Sequence, residues 1–168
     1  IVYEKSPVNL GVLQGLSKVV EMSSGDFVQI VCHDDWLSRN YVEECIREFK
    51  KRPESAIVTG QWINMVDNDG IYSFVEKADV RPDYYRTSYF MKNAYRSVVP
   101  SVITMGMTRR EDAKSAAAYL EEIVSNPPKS FPEELKMLNK HGYCADIVWP
   151  TKFLMKHKGF VISDALAY

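Results

Sequence analysis

Phe27-Val28-Gln29-Ile30-Val31-Cys32, followed at once by His33-Asp34-Asp35-Trp36-Leu37, is the stretch that decides the fold class. Its first half is short, nearly continuously apolar and rich in β-branched residues. That is the pattern of a strand buried on both faces of a parallel sheet. The run stops at an acidic pair, and a helix follows, with Ser38 or Asn40 as its cap and Val42, Cys45, Ile46 and Phe49 on one face. Arg52-Pro53 ends that helix, and Ala56-Ile57-Val58-Thr59-Gly60 reads as the next strand. Strand, helix and strand make a βαβ unit with a right-handed crossover. The fold class is therefore α/β.

On the upstream side, Leu10, Leu13, Leu16 and Val20 recur at helical spacing, so residues 9–22 read as a helix capped by Asn9 and ended by Ser24-Gly25. Downstream, Asp67-Asn68-Asp69-Gly70 is a turn signal between Trp62-Ile63-Asn64-Met65 and Ile71-Tyr72-Ser73-Phe74, which predicts a hairpin. Residues 81–99 are aromatic-rich and irregular in period, and Val102-Ile103-Thr104-Met105 reads as a further strand. A helix over 110–124 carries Ala113, Ala117, Leu120 and Val124 on one stripe. Pro127-Pro128 to Pro132 is a loop, followed by helices at 132–139 and at about 146–157. Gly159 leads into a terminal strand, Phe160-Val161-Ile162. No linker composition interrupts the chain, so residues 1–168 read as one domain, with a βαβ half over 1–62 and a mixed half over 63–168.

Composition narrows the function classes. Of the 168 residues, 46% are hydrophobic and 26% charged, which speaks against disordered and fibrous classes. Lys+Arg 21 against Asp+Glu 22 leaves a net charge of −1, which gives no electrostatic footprint for nucleic acid. No apolar run reaches the ~18 residues that a transmembrane helix needs. Cys32, Cys45 and Cys144 are too widely spaced for a zinc knuckle and odd in number, so a reducing compartment is expected, with Cys32 and Cys45 packed in apolar surroundings.

Asp34 and Asp35 carry the chemistry. In open α/β sheets, ligands bind outside the carboxyl ends of the strands. Two adjacent carboxylates repel each other there unless a cation or donors compensate. Mg²⁺ and Mn²⁺ prefer such oxygens and commonly keep substrate phosphates as further ligands. The pattern points to a divalent-metal site for a phosphorylated substrate. The plain alternative is a loop acid followed by a helix N-terminal acid, with His33 either a third ligand or a solvated loop histidine.

With these residues in view, the chain resembles the inverting family 2 glycosyltransferases of the GT-A fold. Asn9-Leu10-Gly11, Ser24-Gly25-Asp26-Phe27 and His33-Asp34-Asp35-Trp36-Leu37 are similar to the family pattern N-x-G, x-G-[DE]-[YF], apolar strand, D-x-D-D-W. Ala145-Asp146-Ile147-Val148-Trp149, then Lys152 and Lys158-Gly159-Phe160-Val161, are similar to its E-D-x-x-L-x-x-R … G segment. The likeness is specific near 24–37, moderate at 145–162 and weak over 75–140.

The resemblance implies a nucleotide-diphospho-sugar transferase-like, Rossmann-like mixed sheet flanked by helices. It implies Asp34 and Asp35 as ligands of Mg²⁺ or Mn²⁺ against the donor diphosphate, and Asp146 as general base on the acceptor hydroxyl. Lys152 stands where many members carry Arg, on the donor side. The implied partners are a nucleotide-sugar donor and a carbohydrate or lipid-linked acceptor, in a cytoplasmic setting with or without association to a membrane surface. The family also begins with a strand–helix–strand unit that floors the nucleoside pocket. Ile1-Val2-Tyr3 looks like the strand after that unit, so the residues given are expected to form a partial domain that binds a nucleotide-sugar poorly by itself. Two positions depart from the pattern: Cys32 stands at its first acid, and Ala145 replaces the usual Glu.

Other readings use the same residues. A nucleotidyltransferase would also want acids at a strand end, but with a Gly-rich basic loop that is not visible. A phosphoacceptor or phosphatase domain would need an Asp nucleophile with Lys and Ser/Thr at later strand ends. A non-catalytic carbohydrate-binding or interaction domain derived from a transferase would use Trp36, Trp62 and Trp149 as stacking surfaces, or leave them in the core.

Overall fold

A run of β-branched and aromatic residues from Ser55 onward and a second from Gly159 onward build the centre of the sheet. The computed structural model describes residues 3–32, 35–69, 71–77, 81–93, 106–126 and 152–167. In chain order the elements are α1 (Gly11–Met22), β1 (Phe27–Val28), α2 (Tyr41–Lys51), β2 (Ser55–Asn68), β3 (Ile71–Lys77), β4 (Asp83–Arg86), α3 (Thr87–Asn93), β5 (Met107–Arg109), α4 (Arg110–Ser125) and β6 (Gly159–Ala167). A short helix over 152–156 precedes β6. Among the described residues no helix is long and apolar enough to cross a membrane.

The sheet is mixed. Five strands lie in the order β1-β5-β2-β6-β4, and β3 pairs with the far half of β2. β2 and β6 are parallel, and β5 is antiparallel to both β1 and β2, so β1, β2 and β6 share one direction. β4 runs against β6. Helices cover both faces. On one side, Tyr41, Cys45 and Phe49 of α2 bury against Val58, Met107, Val161, Ala165 and Ala167. On the other, α1, α3, α4 and the short helix bring Val20, Phe90, Ala113, Ala117, Phe153 and Leu154 onto Ile57, Phe160 and Ile162. Neighbouring residues of one strand, such as Ile57 and Val58, thus go to opposite layers, as the two-residue period of a strand requires.

Several expectations match. The Asn9 side chain accepts the Gly11 N–H at 2.9 Å and so satisfies one of the donors a helix start leaves open, although the N-cap position itself is Leu10, one residue later than expected, and has no side-chain cap bond. Gly11 has φ of 69°, a left-handed conformation that a side chain would strain. The hairpin forms as β2 and β3, with Asn68 opposite Ile71 and Asp69 at φ of 53° in the turn. Helix α4 covers the expected 110–124, and Cys45 is buried.

Other expectations are corrected. The stretch 27–32 makes only a two-residue ladder, and Val31 and Cys32 are exposed, so its second half is not a strand buried on both faces. Helix α2 buries Tyr41 in place of Val42, which is 49% exposed. Neither Ser38 nor Asn40 caps α2 with its side chain; Ser38 Oγ accepts the Leu166 N–H instead. β1 and β2 are parallel, but β5 lies between them, so the βαβ unit is not an adjacent pair. A non-local strand inserted from 80 residues downstream leaves no trace in the local pattern of 27–60. The strand expected at 102–105, the helix at 132–139 and the start of that at 146–157 lie outside the described residues; the end of the last is helical over 152–156.

Candidate functional site

The three parallel strands give the sheet a carboxyl edge and an amino edge. The loop after β1 lies at the carboxyl edge, and its tie to β6 is specific. Leu37 forms an antiparallel bridge with Ala167. The Ser38 N–H donates to the Leu166 carbonyl at 2.9 Å, and the Leu166 N–H donates to Ser38 Oγ at 3.2 Å. Asp35 is two residues before this clamp, in a turn where its N–H donates to the Cys32 carbonyl at 3.2 Å. Asp35 is half-buried, and no hydrogen bond or ion pair of its side chain with another described residue is seen. Trp36 beside it is 51% exposed.

The same edge contains a bulge. Thr59 pairs with Ile162, yet Gln61 pairs with Leu166, so Ser163, Asp164 and Ala165 loop out opposite Gly60. The Tyr41 phenol fills the gap, accepting the Gly60 N–H at 3.0 Å and lying 3.3 Å from Thr59 Oγ1. Burial, then the neighbouring Cys45, push the Tyr41 hydroxyl up to about 12, so it stays protonated as a structural group. Cys45 is likewise raised to about 12, by burial first and then by Glu44. Cys32 departs from the expected packing: it is exposed beside the acidic pair.

Lys152 lies in the other helical layer. Its ammonium is 4.0 Å from the centroid of the Tyr119 ring on α4, and among the described residues it forms no ion pair. Asp35 and Lys152 are not in hydrogen-bond or salt-bridge contact. Asp34 and Asp146, the other two expected site residues, lie outside the described residues, as do His33, Ala145 and Trp149. Among the described residues no group of three or more His, Cys, Asp or Glu converges as a metal site.

A cluster that the sequence reading missed occupies the amino edge. Asp112, in the first turn of α4 and 4% exposed, receives Lys156 Nζ on Oδ1 at 2.6 Å and faces His157 Nε2 with Oδ2 at 2.9 Å. Burial by itself would raise the Asp112 carboxyl; the Lys156 hydrogen bond and the adjoining His157 outweigh it, and the net effect holds it below the usual carboxylate value. Thr87 Oγ1 completes the junction, within hydrogen-bond reach of the Leu154 and His157 carbonyls at 3.1 and 3.0 Å. The sequence signals were an acid in a helix first turn and the cationic run Lys156-His157-Lys158, but 44 residues separate Asp112 from Lys156 and no local rule connects them.

No protein-family model matches this chain, and no curated protein matches it.

Proposed function

We propose that the protein transfers a sugar from a nucleotide-diphospho-sugar donor to an acceptor hydroxyl with inversion, assisted by Mg²⁺ or Mn²⁺. The observation that supports this most is the Asp35 loop, clamped through Leu37 and Ser38 to the end of β6 at the carboxyl edge of the parallel strands. That is where open α/β sheets hold phosphorylated ligands. Asp34 and Asp35 together would hold the cation, whose bound charge would stabilise the departing diphosphate as a Lewis acid. A hard cation of this kind completes its shell with phosphate oxygens, so two carboxylates suffice from the protein.

The remaining roles belong to side chains. Asp146 would take the proton from the acceptor hydroxyl on the face opposite the leaving group. A single displacement inverts the anomeric centre and needs one base; a retaining double displacement would want a separate carboxylate nucleophile. Lys152 would add positive charge for the diphosphate. The mixed sheet between two helical layers supports the fold that this reading requires at the level of class.

The test is release of nucleoside diphosphate from a panel of nucleotide-sugars at millimolar concentration with Mn²⁺ and simple sugar acceptors. Asp146→Asn is expected to lower transfer by about 10²- to 10⁴-fold. Asp34→Asn and Asp35→Asn are expected to shift the Mn²⁺ dependence to higher concentration. Full metal-dependent activity in Asp34→Asn and Asp146→Asn would sink the assignment. Sugar binding without turnover would favour the non-catalytic carbohydrate-binding alternative.

A further inference from the structure

Strand direction gathers charged residues at the amino edge of the sheet. β2 and β6 are parallel and begin there, and β4, antiparallel to β6, ends there. Glu54 immediately precedes β2, Lys158 immediately precedes β6, and Arg86 closes β4 opposite Gly159. These three residues line one cleft of about 660 Å³ together with Tyr84, Met155 and His157.

The walls of the cleft are held by bonds that do not use the Arg86 and Lys158 head groups. The Thr87 N–H donates to the Lys158 carbonyl at 3.0 Å, and Thr87 Oγ1 reaches the Leu154 and His157 carbonyls. Asp112 fixes the His157 ring through Nε2 at 2.9 Å. The Tyr84 phenol lies against bare backbone: a Cβ on Gly159 would come within 2.9 Å of its hydroxyl. The Arg52 guanidinium stands 5.1 Å from the centroid of the same ring.

The charges converge on that phenol. Burial first, then Glu54, push the Tyr84 hydroxyl up, while Arg86 and Arg52 pull it down, and the net effect is upward. The phenol therefore keeps its proton and has it to donate. A guanidinium fork, an ammonium and a hydroxyl donor make a set suited to the oxygens of a phosphate group. Met155, exposed beside them, offers apolar surface to whatever the phosphate is attached to.

We propose that this cleft binds a phosphate monoester, with Arg86 and Lys158 holding the phosphate, the Tyr84 hydroxyl donating to it, and Glu54 competing with it for the two cations. The site lies at the edge opposite the acidic loop and is independent of the transferase reading.

Glycerol 3-phosphate and phosphatidic acid carry the same phosphate monoester and separate a soluble ligand from a lipid headgroup. The full chain is titrated with glycerol 3-phosphate by calorimetry, and co-sedimented with phosphatidylcholine vesicles with and without phosphatidic acid. Arg86→Gln is expected to weaken binding about tenfold, Lys158→Gln about three- to tenfold and Tyr84→Phe about threefold, the scale of hydrogen bonds to a charged group that stays partly in water. Glu54→Gln removes the competing carboxylate and is expected to tighten binding about two- to threefold. Lys5→Gln, an exposed cation that does not line the cleft, is expected to bind like the parent. Circular dichroism and the urea midpoint check that each variant is folded, and a gain of affinity in Glu54→Gln cannot arise from lost structure.

This variant order with glycerol 3-phosphate assigns the site to a soluble ester. The same order with phosphatidic acid vesicles, and no binding of glycerol 3-phosphate, assigns it to a lipid. The proposal is overturned if neither probe binds, if Arg86→Gln and Lys158→Gln bind like the parent, if Lys5→Gln loses as much affinity as they do, or if Glu54→Gln binds more weakly than the parent.

Discussion

A methyl group at position 60 has nowhere to go. A Cβ on Gly60 would lie 2.6 Å from the Ala165 carbonyl oxygen and 2.6 Å from the Tyr41 ring, both held by the bulge. Gly60→Ala is therefore expected to cost about 1–3 kcal/mol by overpacking, read as a lower urea midpoint with an unchanged slope. At Asp112 the expected effect depends on pH. Its folded-state value lies below its unfolded one, so its contribution is present above the unfolded carboxylate value of about 4 and is lost as pH falls through the folded value. Asp112→Asn should cost about 1–3 kcal/mol at pH 7, because the amide keeps one acceptor oxygen but loses the charge and turns an N–H donor toward Lys156 or His157. The gap between parent and variant should narrow in urea titrations at pH 3. Residue-scale reading of the sequence succeeded where one side chain meets nearby backbone, as Asn9 does at Gly11. It failed for Val42 and Tyr41: both positions are compatible with an amphipathic helix, and only the hole in the sheet selects the phenol.

Elements were read well when their partner was close in sequence. The β2–β3 hairpin follows from its turn residues, because strand ends two residues apart have little choice of register. The insertion of β5 between β1 and β2 could not be read, since Met107–Arg109 carries the information only once the sheet exists. Likewise the sequence marks an acidic pair at a strand end, but not the clamp that fixes the loop, because Ser38 and Leu166 are 128 residues apart. That clamp is testable as an element. Ser38→Ala removes the acceptor of the Leu166 N–H and is expected to cost about 1 kcal/mol, with faster amide exchange at Leu166 than in the parent. Equal protection in both would show that the Leu37–Ala167 bridge suffices.

Across the whole molecule, the acidic loop and the Asp112 junction sit at opposite edges of one sheet. Asp35→Asn should leave the urea midpoint within about 0.5 kcal/mol of the parent, because its side chain bonds no other described residue, while weakening Mn²⁺ binding measured by calorimetry. A loss of stability equal to that of Gly60→Ala would mean that Asp35 serves the fold and not a ligand. The fold class was legible because hydrophobic period fixes layers; the site was legible only as residue types, since the geometry that joins Lys152 to Tyr119 is tertiary. Burial of Cys45 between α2 and the sheet has one more outcome. With its thiol raised to about 12, it is almost wholly unreactive toward alkylating reagents while α2 stays docked, whereas Cys32 is open to them. The rate at which Cys45 is alkylated at fixed pH therefore clocks how often that helix lifts away, giving the chain an internal stopwatch for its own partial opening.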